Sequence, residues 1–321
     1  MSRAKHPVTL LTGFLGSGKT TLLSELLAHP DMDETAVIVN ELGEIGIDHH
    51  IVSQVDERTV VLDSGCVCCV MRGDLADELR DLFSRRIRYE IPNFHRVVVE
   101  TTGIADPVPI LFTLLSEPVV RHHFTLDSVV TTVDAVNGSV QLLKQPESVK
   151  QAAVADRLVI TKTDIADSFQ VEEIEDQLKK INPTAPMFHV LHGKVSPTVL
   201  FKGEERDVRD LNLHETDDDH LSDVRAFSLI LDEEVSWTAF GVWLTMLLQA
   251  RGEDILRVKG LLNTGGEGPL LLNGVQHVVH PPAHLDEWPD EDQRSRIVFI
   301  ARRTTREEVE SSLVAFNQIL R

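Results

Sequence analysis

The chain has 321 residues, of which 42% are hydrophobic and 26% charged, and its formal net charge is −20. This composition is typical of a globular protein with enough apolar material for two domains. The acidic balance argues against a nucleic-acid partner, because phosphate backbones are bound by faces rich in Lys and Arg. No apolar run approaches the roughly 18 residues of a transmembrane helix, so no membrane partner is expected.

The first residues of the chain, 1–7, are not interpreted as a removable leader. The apolar segment that follows them leads directly into a phosphate-binding motif, which the working protein has to keep. We therefore expect a cytoplasmic location, where thiols stay reduced. Cysteines in this sequence are accordingly candidates for metal ligands or nucleophiles rather than for disulfides.

Short, apolar, β-branched runs alternate with amphipathic segments over the first 190 residues. Such runs are typical of strands that are buried on both faces of a parallel sheet. The predicted strands are Val8–Leu11, Ala36–Val39, Val60–Leu62, Val97–Val99, Val129–Val133, Leu158–Ile160 and Phe188–Val190. The predicted helices include Thr20–Leu27, Leu75–Arg86 and Val171–Ile181. This alternation predicts an α/β fold with a doubly wound, mainly parallel sheet.

The pattern changes after a polar, acidic stretch at 203–223, which we interpret as a linker. His214 and His220 flank three aspartates there, and we interpret that run as solvated linker rather than as a metal site. The predicted elements beyond it are strands at 226–231, 255–262, 269–272, 275–279 and 297–300 and helices at 237–250 and 305–320, with Thr304 or Thr305 as N-cap of the last helix. The sequence thus predicts a first domain at 1–202, a linker at 203–223 and a smaller α+β domain at 224–321.

Residues 13–20, GFLGSGKT, match the phosphate-loop pattern G-x-x-x-x-G-K-S/T at every fixed position. The motif follows a predicted strand and opens a predicted helix, which is the context that a phosphate loop requires. Lys19 is expected to reach the β- and γ-phosphates, and the Thr20 hydroxyl to bind Mg²⁺. The predicted phosphate-binding residues are Gly13, Gly16, Ser17, Gly18, Lys19, Thr20 and Thr21.

A phosphate loop also needs an acidic residue at the end of another buried strand to complete the magnesium site. Glu100 directly follows the predicted strand Val97–Val99 and is expected to share this role with Thr20. Gly103 lies three residues further on, where a backbone amide is placed to sense the γ-phosphate.

The segment Thr161–Asp164, TKTD, follows a predicted strand and has the form N/T-K-x-D, which favours guanine. A carboxylate at Asp164 can accept hydrogen bonds from the guanine N1–H and exocyclic amine, a donor pair that adenine lacks. The stem of Lys162 can lie along the base, and Thr161 can hydrogen-bond within the site. His192, just after the next strand, is predicted to complete the base pocket.

Cys66, Cys68 and Cys69 are all the cysteines of the chain. Thiolates this close together suit a soft or borderline ion such as Zn²⁺ or Cu⁺. A tetrahedral zinc site needs a fourth ligand, for which Glu44, a histidine, water or a client residue are candidates. An incomplete protein shell suits a carrier, since a closed site holds its ion permanently. A buried reduced cluster and a redox pair stay open as alternatives.

Together with the segment Asn40–Glu44, these motifs resemble the CobW family of metal-chaperone GTPases, over nearly the whole chain. The stretches 255–262 and 274–278 are similar to that family's C-terminal domain. The resemblance implies slow GTP hydrolysis, with Mg²⁺, coupled to the binding of zinc, or in some members cobalt (Co²⁺), and to its transfer to an unidentified client protein. Val39 departs from the pattern, because some relatives carry a glutamate there, so a metal site that uses that carboxylate is not assumed here.

The loop 41–48 lies between the second strand and the cysteines and is interpreted as a switch segment. Our hypothesis is that Mg·GTP orders this loop and brings the cysteines into a high-affinity arrangement, which hydrolysis then loosens. Two alternatives remain: a nucleotide-dependent small-molecule kinase with an acceptor pocket in the second domain, and a metal-binding interaction module without turnover. No residue is assigned as the catalytic base.

Overall fold

The computed structural model describes residues 5–40, 60–64, 74–201 and 223–319. Their contacts form two compact units, one made by the described residues up to 175 and by 187–201, the other by 176–186 and 223–319. No helix among the described residues is long and apolar enough to cross a membrane. The predicted site residues Glu44, Cys66, Cys68 and Cys69, and residues 203–222 of the predicted linker with His214 and His220, lie outside the described residues.

The first unit is built on a seven-stranded parallel sheet with the order β3-β2-β4-β1-β5-β6-β7. Its strands are β1 His6–Gly13, β2 Thr35–Asn40, β3 Val60–Ser64, β4 Arg96–Glu100, β5 Phe124–Asp134, β6 Arg157–Thr161 and β7 Met187–His189. The strand β1 lies between β4 and β5, with Leu11 opposite Glu100 and Gly13 opposite Thr132. The carboxyl ends of these three strands therefore meet at one edge. The predicted α/β class with a parallel sheet is confirmed.

Short helices connect these strands. They are α1 Lys19–Leu27, α2 Asp74–Ile87, α3 Pro107–Ser116, α4 Pro118–His123, α5 Gly138–Lys144, α6 Pro146–Ala153, α7 Ser168–Ile181 and α8 Pro197–Leu200. Several begin with proline, whose fixed φ and missing N–H suit the first position of a helix. Leu22, Leu23 and Leu26 of α1 join strand residues in one buried apolar cluster, which fixes α1 against the sheet.

The second unit contains an antiparallel sheet of order β11-β10-β9-β13-β8, with β12 paired to β10. Its elements are β8 Val224–Leu231, α9 Trp237–Arg251, β9 Ile255–Leu262, β10 Leu270–Val275, β11 Val278–Val279, β12 Ala283–His284, β13 Ser295–Arg302 and α10 Arg306–Ile319. Side chains of both helices and of the sheet form one buried cluster. The Phe227 and Phe299 rings stack at 5.5 Å in it, and Trp243 Nε1 donates to Ser312 Oγ at 3.1 Å.

Two sequence predictions in this unit have different outcomes. The single strand predicted at 275–279 is wrong: Gln276 has φ 47, the chain reverses, and β11 pairs back on β10. A left-handed residue cannot continue a strand, so the run becomes a hairpin. The prediction of an N-cap at the last helix is confirmed at Thr305, whose Oγ1 accepts from the Glu308 amide while Glu308 Oε2 accepts from the Thr305 amide.

Candidate nucleotide site

The predicted phosphate loop lies at the carboxyl edge of the parallel sheet, between β1 and α1. Gly13, Gly16 and Gly18 all have positive φ, at 142°, 73° and 88°. A Cβ on Gly13 would collide with the hydroxyl and carbonyl oxygens of Thr132 on the neighbouring strand, so only glycine fits there. Ser17 Oγ hydrogen-bonds Thr132 Oγ1 at 2.6 Å. The loop is therefore fixed against β5.

Two side chains of the motif are held at defined positions. Lys19 is 8% exposed, and its Nζ donates to Gly13 O at 2.9 Å and to Phe14 O at 3.2 Å. Thr20 Oγ1 donates to Glu100 Oε1 at 2.8 Å, and Glu100 is fully buried. The structure thus brings together the hydroxyl and the carboxylate that the sequence assigns to magnesium. Hard oxygen ligands of this kind fit Mg²⁺.

The residues 101–103 after Glu100 lie against the end of β1 and the phosphate loop. The Thr101 amide donates to Leu11 O at 2.9 Å, and Thr101 Oγ1 donates to Thr12 Oγ1 at 2.9 Å. A Cβ on Gly103 would lie 2.5 Å from the Leu15 amide nitrogen, so the two backbones approach more closely than any side chain permits. Gly103 is therefore next to the phosphate loop, as the proposed γ-phosphate sensor requires.

The predicted base-reading segment begins at the end of β6. Thr161 Oγ1 donates to the Ser17 carbonyl at 2.8 Å, which joins this segment to the phosphate loop. Lys162 has φ 59, and its ammonium donates to Asp134 Oδ2 at 2.6 Å. Left-handed non-glycine residues are concentrated at ligand-binding loops, where surrounding contacts hold them.

Asp134 is a residue of this site that the sequence analysis missed. It is 1% exposed and also accepts from the amides of Val136 and Asn137 and from Asn137 Nδ2. Burial raises the pKa of this carboxyl, but hydrogen bonds from Asn137, Lys162 and the backbone outweigh it and hold the pKa below its usual value. The signal that could have found it is an acid directly after a predicted strand, at the carboxyl edge where the motifs lie.

The phosphate loop, the segment after Glu100 and Lys162 enclose a cavity of about 530 Å³. Its lining residues are Leu15, Gly16, Gly18, Lys19, Thr20, Thr21, Thr102, Gly103, Ile104 and Lys162. This volume is in the range of small-molecule sites. Asp164 and His192 are both described by the structure, but neither lines this cavity. They lie next to each other, with His192 Nδ1 at 3.7 Å from Asp164 Oδ2.

A phosphate loop at a helix N-terminus, with a buried acid on the adjacent strand, defines a P-loop nucleotide-binding protein. Residues 7–189 match the CobW/HypB/UreG nucleotide-binding domain. Residues 224–317 match the cobalamin synthesis protein cobW C-terminal domain. The chain belongs to the CobW/HypB/UreG family, which confirms the resemblance seen in the sequence.

The similarity to known proteins extends over nearly the whole chain. The zinc chaperone YjiA of Escherichia coli K12 is 35% identical over 318 residues, which cover 97% of this chain and 98% of YjiA. The zinc chaperone CobW of Sinorhizobium sp. is 27% identical, covering 90% of this chain and 89% of the relative. The crystal structure of the Zn(II)-bound YjiA GTPase from E. coli superposes with a TM-score of 0.73 and 30% identity, covering 98% of this chain and 99% of that one.

Proposed function

We propose that this chain is a GTP-hydrolysing metallochaperone that binds a transition metal, most consistently zinc, and transfers it to a client metalloprotein. The observation that carries the GTPase part is the hydrogen bond between Thr20 and the fully buried Glu100 beside the phosphate loop. The names of the similar proteins, zinc chaperones and a GTPase, support both parts. A reducing, cytoplasmic compartment suits the three thiols.

In this proposal the cavity holds the triphosphate of GTP. The backbone amides of 13–18 and the N-terminus of α1 surround the phosphate oxygens, and Lys19 neutralises part of their charge. Thr20 and Glu100 hold Mg²⁺, which when bound offsets the charge that develops on the phosphoryl oxygens. Thr102, Gly103 and Ile104 line the same cavity, and their backbone is assigned to the γ-phosphate.

The base end of the site is assigned to guanine. Asp164 accepts from the guanine N1–H and amine, and the stem of Lys162 lies along the base. Asp134 holds the ammonium of Lys162 in place. His192 lies beside Asp164, and we assign it to the base pocket as well. Since guanine belongs equally to GTP and GDP, these residues set affinity for both nucleotides rather than discriminate between them.

The cargo site is assigned to Cys66, Cys68 and Cys69 with Glu44 as the fourth ligand. These residues are outside the described part of the chain, and the assignment rests on their types, their spacing and the family. In this proposal GTP binding orders the segment 41–48 and raises the affinity for zinc. Hydrolysis lowers that affinity, so that the ion passes to the client.

The test compares GTP turnover with Mg²⁺, alone and with Zn²⁺ or Co²⁺, in the wild type and in a triple Cys66→Ser, Cys68→Ser, Cys69→Ser variant. The wild type is expected to hydrolyse GTP and to change its rate with metal, whereas the triple variant keeps basal turnover and loses the metal response. Glu100→Gln, which keeps all three cysteines, is expected to lose turnover roughly a hundredfold or more.

Two results would support other functions. Phosphoryl transfer from GTP to a metabolite, with indifference to Cys68→Ser, would support a small-molecule kinase. Zinc binding without any GTP turnover would support an interaction module in which the nucleotide only stabilises the fold.

A further inference from the structure

Two consecutive residues of α6 hold the segment 103–106, which forms part of the cavity wall. Gln151 Nε2 donates to Gly103 O at 3.1 Å and to Ala105 O at 3.0 Å. Lys150 Nζ donates to Asp106 Oδ2 at 2.7 Å, and Asp106 Oδ1 accepts from the Val108 amide at the start of α3. One helix thus fixes this segment at residues 103, 105 and 106.

The orientation of the Gln151 amide is determined by its surroundings. Both partners are carbonyl oxygens, so only the NH₂ group can face them, and the reversed amide would place three acceptors together. Gln151 is 1% exposed, so water cannot readily replace either bond. Its own backbone carbonyl accepts from Thr131 Oγ1 of β5 at 2.9 Å. Gln151 therefore connects the central sheet to the segment after Glu100.

The other side of the same segment faces the nucleotide cavity. Gly103 lies against the Leu15 backbone, and Thr102, Gly103 and Ile104 line the cavity. In a trans peptide unit the C=O and N–H groups point in opposite directions. The bond from Gln151 to Gly103 O therefore also fixes the direction of the Ile104 N–H, which belongs to the same peptide unit.

From this geometry we infer that Gln151 is a positioning residue that aligns the backbone of 103–105, and with it the Ile104 N–H, for the γ-phosphate. It touches the segment and not the nucleotide, so it acts on hydrolysis and on discrimination of GTP from GDP through the segment. The inference rests on the proposed function, which assigns this segment to the γ-phosphate.

The first test is Gln151→Met, which keeps an unbranched side chain of similar size and removes both donors. Kd values for GDP and for a non-hydrolysable GTP analogue, and kcat and KM for GTP, are measured with Mg²⁺. We expect kcat and the preference for the analogue over GDP each to fall roughly tenfold, with GDP affinity within about twofold of wild type. Gln141→Met on the neighbouring helix α5, which leaves these contacts in place, is the matched control.

The second test is Gln151→Glu, which has the same shape but presents acceptors to two carbonyls. A buried carboxyl in that position has a raised pKa, and its protonated form can donate one hydrogen bond. We expect kcat of this variant to recover as the pH is lowered from 8 to 6, relative to wild type and to Gln151→Met. With kcat referred to the protein that stays folded at each pH, a residue that only supports the fold would give no such pH profile.

The outcomes separate the inference from the proposed function. If wild type hydrolyses GTP but Gln151→Met keeps its kcat, or loses GDP and analogue affinity by the same factor, the positioning role is overturned. A flat pH profile for Gln151→Glu overturns it independently, even if the Met variant does not fold. If the wild type neither hydrolyses GTP nor distinguishes the analogue from GDP, the proposed function fails and the inference fails with it.

Discussion

At the scale of single residues, the pair of Asp134 and Lys162 leads to a prediction about guanine nucleotides. The Asp134 carboxylate binds the Lys162 ammonium at 2.6 Å and is itself fixed by Val136 and Asn137. In Asp134→Asn the charge that holds Lys162 is lost. Because hydrogen bonds to charged groups are worth about 1.5–3 kcal/mol when buried, and Lys162 is partly exposed, we expect roughly fivefold to tenfold weaker binding.

Nucleotide titrations check this prediction. The loss should be equal for GDP and for a non-hydrolysable GTP analogue, since both carry guanine, and this equality distinguishes Asp134 from Gln151. Asp127→Asn, at the other end of β5, is the matched control and should leave both affinities at the wild-type value. Unchanged affinities in Asp134→Asn would mean that the bond from Lys162 to Asp134 has no part in binding the base.

The site residues that the sequence predicts share a local signal. The phosphate loop is contiguous, and Glu100 directly follows an apolar run, so their proximity follows from parallel strands whose carboxyl ends meet. Asp134 and Gln151 have partners 28 and 48 residues away along the chain. Those contacts depend on the strand register and on the placement of α6, which single-sequence patterns do not specify.

At the scale of elements, the pairing of β1 with β5 contains a bulge. Val8 pairs with Leu126 and Thr9 with Ser128, so Asp127 is an extra residue in β5. Thr9 Oγ1 donates to Asp127 Oδ2 at 3.2 Å. Burial raises the pKa of Asp127 to about 6, with the Thr9 hydrogen bond and the charges of Arg157 and Arg96 acting against it and Asp156 acting with it.

This raised pKa predicts a pH-dependent cost to stability. Below pH 3.8 the carboxyl is protonated in both states, and above that value the unfolded chain loses its proton first. The free energy of unfolding therefore falls as the pH rises from 3.8 towards 6. It levels off above that, where the folded carboxyl is ionised as well. Asp127→Asn removes this ionisation while its amide oxygen can still accept from Thr9. We expect its gain in unfolding free energy over wild type to grow by about 1 kcal/mol between pH 5 and pH 8.

Urea denaturation of both proteins at several pH values measures that gain. Asp106→Asn, a second aspartate variant outside the bulge, is the control for the type of substitution. A constant difference between Asp127→Asn and wild type across the pH range would contradict the raised pKa.

Some elements could be predicted from the sequence, and others could not. The strands of the parallel sheet were predictable, since burial on both faces demands continuous apolar runs. The hairpin at Gln276 was not, because the sequence around it is apolar enough to resemble one strand. Gln276, which is not a glycine, adopts the left-handed conformation there, and only the pairing of β10 with β11 reveals the turn.

At the scale of the whole molecule, two family models match the chain, one at 7–189 and the other at 224–317. The sequence analysis predicts two domains, at 1–202 and 224–321, from local motifs and from the change of pattern at 203–223. How one site affects another cannot be read from such motifs, because coupling is a difference in free energy between two states of the protein. It has to be measured by changing one ligand and observing the other.

The proposed function predicts such a coupling between GTP and zinc. If the GTP-bound form holds zinc more tightly than the GDP-bound form, thermodynamic linkage requires zinc to favour the GTP analogue over GDP by the same factor. We expect a factor of roughly five or more, which is the lower end of typical allosteric coupling.

Zinc titrations of the two nucleotide forms, and nucleotide titrations with and without zinc, give two independent values that must agree. The triple cysteine variant should bind both nucleotides and show no effect of zinc. Equal zinc affinity in the two nucleotide forms would refute the idea that hydrolysis controls metal release, because a ligand that binds both states equally shifts neither.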